Sequence, residues 1–297
     1  SVHIFVSYVL FVYAILYATL VPLRFCVILS CLRLTRCRSV ANKSVTVHSL
    51  GENLLPLHVI IYNRYMLTDD IKLLAFDADD TLWDCQSHFV AVEEAYCRLL
   101  SDYGSADEIS QALFATETAD MPLLGYGCKA FTISLVENAI EVSSGRVDAA
   151  TIMKVVGLGR SLLELPATPL PEVEATLQRL HNSGRYTMVV FTKGEILDQE
   201  NKLRRSGLGR FFDDAVVVAD KTHDEYNRLC SRYGVSMQQM MMIGNSFKSD
   251  IEPVLQLGGT AAHIPFHVLW QYEKTEEYDH ERLFRLQHFG ELAPLLL

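Results

Sequence analysis

The sequence predicts an α/β fold: a parallel sheet with helices on both faces, plus an all-helical subdomain inserted after its first strand. Three observations carry this. Ile71–Phe76 is a short apolar run that stops abruptly at polar residues, as a strand buried on both faces does. From Pro166 onward, apolar strand-like runs alternate with amphipathic helical ones, which indicates βα units. Between these two regions, residues 85–165 carry helical periodicity and no strand signal, too long a stretch for a simple crossover.

Taken in order, residues 1–65 stand apart. Ile4–Leu23 holds no charge over 20 residues, enough to span a bilayer as a helix. Arg24, Arg33, Arg36 and Arg38 follow, which would put the C-terminal side in the cytoplasm. No basic leader and no small-residue cleavage site mark a secretory signal. The first methionine is Met66, so the expectation adopted is that residues 1–65 are translated upstream sequence, with a genuine membrane anchor as the alternative.

After the first strand, Phe89, Val92, Tyr96, Leu99 and Tyr103 recur at helical spacing. So do Phe131, Leu135, Ala139 and Val142, and then Ile152, Val155, Val156, Leu162 and Leu163. Ile109, Ala112 and Leu113 suggest one short helix, and Met121–Lys129 reads as a loop. A helix with Val173, Leu177 and Leu180 on one face stops near Gly184. Strands are expected at Tyr186–Phe191, Ala215–Ala219, Met240–Ile243 and Ala261–Ile264, with helices over Glu195–Ser206, near Asp224–Tyr233 and after Asp250. These limits give a core of residues 66–84 and 166–270, a helical insertion of 85–165, and an acidic, partly helical tail of 271–297.

Charge narrows the function classes. The chain carries −10 overall, yet residues 1–65 hold six Lys/Arg against one acid, which leaves −15 on residues 66–297. So acidic a domain is a poor nucleic-acid binder, because binding there depends on neutralising phosphates. Seven cysteines without CxxC spacing favour free thiols in a reducing compartment. The expected setting is therefore cytoplasmic, or membrane-anchored with the domain on the cytoplasmic side if Ile4–Leu23 is an anchor. Oligomeric state is not readable.

Four expected strands end in polar clusters: Asp77, Asp79 and Thr81; Thr192, Lys193 and Gly194; Lys221; and Asn245, Ser246 and Asp250. Parallel strands present these ends at one edge, where open α/β sheets bind ligands. Carboxylates with an amide suit a hard cation, and a hydroxyl with an ammonium suits a phosphoryl group. Taken alone, Asp77–Thr81 could equally be an acidic strand-to-loop turn.

With all four clusters in order, residues 71–265 resemble the haloacid dehalogenase (HAD) superfamily, whose core is Rossmann-like. The match rests on Asp77-Ala-Asp79-Asp-Thr81, then Thr192, Lys221, and Gly244-Asn245…Asp250. The insertion looks like that family's C1-type helical cap. The resemblance implies a Mg²⁺-dependent phosphatase acting on a small phosphorylated molecule. Asp77 would be the nucleophile that becomes an aspartyl-phosphate, and Asp79 the general acid and base. Thr192, Lys193 and Lys221 would hold the phosphoryl oxygens. Asp77, the Asp79 carbonyl, Asn245 and Asp250 would hold the metal, with Thr81, Gly194 and Ser246 as supports. Trp83, Tyr126 and Lys129 are weaker substrate candidates. Two departures stand out: Asp80 where many members have Gly, and Asn245 where Asp is common.

Other readings share parts of this constellation. A phosphomutase shares all of it. A dehalogenase has the aspartate nucleophile but needs no acid at the position of Asp79. A phosphoacceptor or binding module on the same fold is the alternative of another class. Cys85, Cys97 and Cys128, the Met240–Met242 run, His223 and His263 read as structural.

Overall fold

The computed structural model describes residues 67–297. Both readings of residues 1–65 lie outside the described residues. Among the described residues no helix is long and apolar enough to cross a membrane.

Six parallel strands form one sheet in the order β3-β2-β1-β4-β5-β6. They are β1 (Leu73–Phe76), β2 (Thr187–Lys193), β3 (Asp214–Val218), β4 (Met240–Gly244), β5 (Thr260–His263) and β6 (Leu283–Arg285). Strand order reverses between β1 and β4, so the crevice expected of such a sheet opens at their carboxyl ends. The two central strands are buried on both faces, and alternate residues serve opposite cores. Leu74, Phe76, Met241 and Ile243 pack with Leu177, Leu180 and Leu292 on one side. Leu73, Ala75, Met240 and Met242 pack with Tyr226, Leu229 and Val254 on the other.

The insertion is four helices with a core of their own: α1 (Gln86–Leu99), α2 (Ala106–Leu124), α3 (Cys128–Val142) and α4 (Ala149–Leu162). Tyr96 ties them together, its hydroxyl 3.0 Å from the Leu135 carbonyl and 2.7 Å from Asn138 Oδ1. α2 is longer than the short helix expected. It starts at a Ser105–Glu108 capping box and runs through Pro122, so the expected loop is cut to residues 125–127. A proline so near the last turn removes only one hydrogen bond, and the helix stops instead at Gly125, where φ is +70°.

α5 (Val173–Ser183), α6 (Ile196–Ser206), α7 (His223–Arg232) and α8 (Glu252–Gln256) complete the βα units, and α9 (Leu292–Leu296) closes the chain. The expected tail is a correction: residues 271–297 are part of the core. Leu283–Arg285 is the sixth strand and α9 packs on α5. A three-residue strand is too short to show alternation in a sequence, and only its pairing with β5 defines it.

Candidate active site

Asp77 follows the last residue of β1, and its N–H donates to the Ile243 carbonyl of β4 at 2.9 Å. The sheet therefore places the first aspartate at the point where strand order reverses. One carboxylate oxygen accepts from Lys221 Nζ at 2.5 Å, and the other lies 3.2 Å from the Thr81 hydroxyl. The same hydroxyl lies 3.1 Å from Asn245 Oδ1, so oxygens from β1 and β4 converge. Lys221 also donates to Asp250 at 2.6 Å, sharing one ammonium between two buried carboxylates. Burial, with Asp250 and Asp79 nearby, pushes the Asp77 carboxyl up to about 7; Lys221 offsets only part of this. One ammonium set against two carboxylates leaves this cluster short of positive charge.

Asp250 reaches this position through a π-helical turn, Phe247–Ile251, immediately after β4. Its carboxylate sits over the Cα of Gly244, where any Cβ would collide with it. The Ser246 N–H donates to its second oxygen at 3.0 Å. His263, buried on β5, bonds the Asn245 carbonyl at 3.0 Å, which is a structural role.

The +2 aspartate is held differently. Lys202 Nζ lies 2.8 and 2.7 Å from the two Asp79 oxygens, Gln199 Nε2 donates at 2.9 Å, and Trp83 Nε1 donates at 2.7 Å. Burial alone would raise this carboxyl, but Lys202, with Gln199 and Trp83, outweighs it and holds it below the usual range. Asp79 is thus an ionised carboxylate here. Asp80, where a glycine was the common expectation, has φ of +63°, which explains that preference. Its side chain compensates by accepting the Cys85 and Gln86 N–H groups, both at 2.8 Å, at the start of α1.

These groups open on a cavity of about 200 Å³ between the sheet edge and the helical insertion. Asp77, Asp79, Thr192, Lys193, Gly194, Lys221, Asn245, Ser246 and Asp250 all line it, as does Tyr126. Gly194, at φ +126°, turns the chain out of β2, its N–H bonded to the Val218 carbonyl at 3.1 Å. Lys193 Nζ is occupied by Glu273 and Ser249, at 2.7 and 2.8 Å, and lies 4.1 Å from the Tyr126 ring centre.

Two expected substrate residues are not on the wall. Trp83 is fully buried and serves Asp79 from behind, because its ring completes the core under the loop. Lys129 is exposed and paired with Glu195, at the start of α3 and turned to solvent. The sequence reading missed Asp198, Gln199, Lys202 and Glu273. The first three lie on a helix whose buried positions are polar, a signal that an amphipathicity argument passes over.

The donor set is all oxygen: two carboxylates, an amide and nearby main-chain carbonyls. It fits a hard divalent cation such as Mg²⁺. No group of three His, Cys, Asp or Glu suited to a metal occurs among the described residues, so Asn245, main-chain oxygen or water would have to complete the shell of any such cation.

A family model described as haloacid dehalogenase-like hydrolase matches residues 71–258. The chain is 26% identical over 222 residues to a glyceraldehyde 3-phosphate phosphatase of Methanothermobacter thermautotrophicus, covering 71% of this chain and 90% of that protein. A haloacid dehalogenase-like family hydrolase from Xanthomonas campestris superposes with a TM-score of 0.68 at 32% identity, covering 75% of this chain and 89% of that one. L-2-haloacid dehalogenase from Xanthobacter autotrophicus superposes at 0.54 with 18% identity, covering 76% and 98%, a likeness of fold.

Proposed function

The chain belongs to the haloacid dehalogenase-like hydrolases, and from that premise we propose that it is a phosphatase for a small phosphomonoester, working through a covalent intermediate on Asp77. The observation that carries this is Lys221 meeting Asp77 at 2.5 Å in the cavity that Asp79, Thr192, Asn245 and Asp250 also line. The phosphatases among its relatives support the same reading.

In this reading an Asp77 oxygen forms a bond to phosphorus as the ester P–O bond breaks, and Asp79 gives its proton to the departing alkoxide. Water then attacks phosphorus, its proton passes to Asp79, and the bond to Asp77 breaks to release phosphate. Asp79 leaves these steps protonated; Lys202 returns it to the carboxylate in the free protein, and it takes up a proton from solvent again when the next ester binds. Because Lys202 keeps Asp79 ionised in the free protein, that contact has to lengthen for the acid step. The Thr192 hydroxyl and the Lys221 ammonium stabilise the equatorial oxygens in flight. Asp77, the Asp79 carbonyl, Asn245 and Asp250 would hold Mg²⁺, which would supply charge neutralisation for the phosphate dianion. The helical insertion acts as a cap of the C1 type over the leaving group. A cytoplasmic setting accords with the four unpaired cysteines among the described residues.

Purified protein with p-nitrophenyl phosphate and Mg²⁺ tests this directly. Turnover is expected, and it disappears with EDTA and in Asp77→Asn. A burst of labelling on Asp77 without release would instead favour a phosphoacceptor, and halide release from haloacids a dehalogenase.

A further inference from the structure

The phosphoryl end of the cavity is accounted for by Asp77, Thr192 and Lys221. The far end, where α1, α2 and α3 face residues 268–273, is not, and its chemistry is one-sided. Among the described residues, ten carboxylates and three lysines line the wall, with no arginine or histidine. Every lysine is already paired: Lys221 with Asp77 and Asp250, Lys202 with Asp79 and Asp198, Lys193 with Glu273. Among the described residues, Glu93, Glu117 and Asp120 of the insertion meet only neutral donors. Ser110 donates to Glu93 at 2.5 Å, Ser134 to Asp120 at 2.6 Å, and Trp270 to Glu117. Burial, with Glu93 beside it, pushes the Glu117 carboxyl up to about 8.

A separate observation points to a donor-bearing ligand. Asp198 Oδ1 and Gln199 Oε1 have no hydrogen-bond partner among the described residues, although both side chains are only 5% exposed and both line this cavity. Acceptors buried without a donor are unfavourable unless something else supplies one. The apolar wall suits the same kind of ligand. Phe89 packs on Phe131 and Tyr126 on Trp270, with ring centres 5.2 and 6.0 Å apart, and aromatic faces favour alkylammonium groups.

We propose that the alcohol half of the substrate carries an ammonium group, seated among Glu93, Glu117 and Asp120, so that the esters hydrolysed are phosphorylated amino alcohols or amino sugars. This rests on the phosphatase reading and specifies its leaving group. It also rejects esters ending in a carboxylate, which would meet like charge with no free cation among the described wall residues to pair them.

The full chain with Mg²⁺ is assayed on esters matched except at one group. O-phosphoethanolamine is compared with 2-hydroxyethyl phosphate and 2-phosphoglycolate, and glucosamine 6-phosphate with glucose 6-phosphate. Glyceraldehyde 3-phosphate and p-nitrophenyl phosphate run alongside. At least one amine ester is expected to exceed its neutral partner in kcat/KM by about tenfold or more, as a charge-assisted hydrogen bond provides, with the carboxylate ester slowest. In the near-isosteric Glu117→Gln/Asp120→Asn variant this ratio falls toward one. Preference for the neutral esters or the triose, or a ratio the variant leaves unchanged, overturns the ammonium site; turnover of p-nitrophenyl phosphate would show the phosphatase reading still standing. If no ester is hydrolysed, that reading fails, and calorimetry with ethanolamine and glucosamine decides the site alone. Binding lost in the variant sustains it, and absence of binding overturns it.

Discussion

Lys202 Nζ bonds both carboxylate oxygens of Asp79, at 2.7 and 2.8 Å, from 123 positions further along the chain. The ammonium is 2% exposed, and although burial would weaken its hold on its proton, Asp79 and Asp198 strengthen it. The +2 aspartate therefore has one orientation, with its charge matched before any substrate arrives.

Lys202→Met should lower kcat on p-nitrophenyl phosphate by about 100-fold, within the range of lost acid–base catalysis, while KM changes little. Lys202→Arg should recover part of the loss. Steady-state kinetics checks this, with a thermal melt to establish that each variant is folded. Unchanged kcat would show that Asp79 does not depend on the contact.

Metal binding should be visible without catalysis. Mg²⁺ is expected to raise the melting temperature of the wild-type protein, since a ligand of the native state stabilises it by mass action. The shift should vanish in Asp250→Asn and in Gly244→Ala, where the new Cβ displaces the Asp250 carboxylate. A full shift in Gly244→Ala would remove Asp250 from the metal site.

Lys221→Met leaves Asp77 and Asp250 buried without their shared ammonium. Breaking a buried pair this way costs about 3–5 kcal/mol, and urea unfolding without metal should register it. Since the departed charge was repelling a cation, Mg²⁺ should recover more stability in this variant than in the wild type.

Glu117 predicts a pH dependence. Its carboxyl titrates at about 8 when folded, against 4.5 for the ordinary group, so between those values the folded state holds the extra proton. Its contribution is therefore present at low pH and is lost as pH rises from about 4.5 to 8. Asp77 acts in the same direction, so the informative quantity is the difference between wild type and Glu117→Gln. The variant's urea midpoint should fall less steeply over that interval.

Asp80 offers a test of backbone strain. Asp80→Ala keeps the left-handed φ without the two hydrogen bonds at the start of α1, whereas Asp80→Gly loses the bonds but relieves the conformation. Ala should destabilise by roughly 1–2 kcal/mol and Gly by less, measured by urea unfolding.

Much of this was legible in the chain. The β1 run, the four polar strand ends and the helical stretch are local patterns, and each declares itself within a few residues. β6 and α2 were misjudged where local signals were weak or misleading: three residues cannot alternate, and Pro122 stops a helix only if its missing hydrogen bond matters.

By itself the sequence determined the parallel α/β class and the residues at the strand ends, because hydrophobic periodicity and the order of polar clusters are properties of the chain. Only the tertiary structure decided that Lys202 and Gln199 clamp Asp79, that Glu273 occupies Lys193, and that Trp83 lies behind the site while Glu93, Glu117 and Asp120 face it. Such pairings join residues from α6, the C-terminal segment and the insertion. Which charges meet is set by how those elements pack, and no spacing in the chain encodes it.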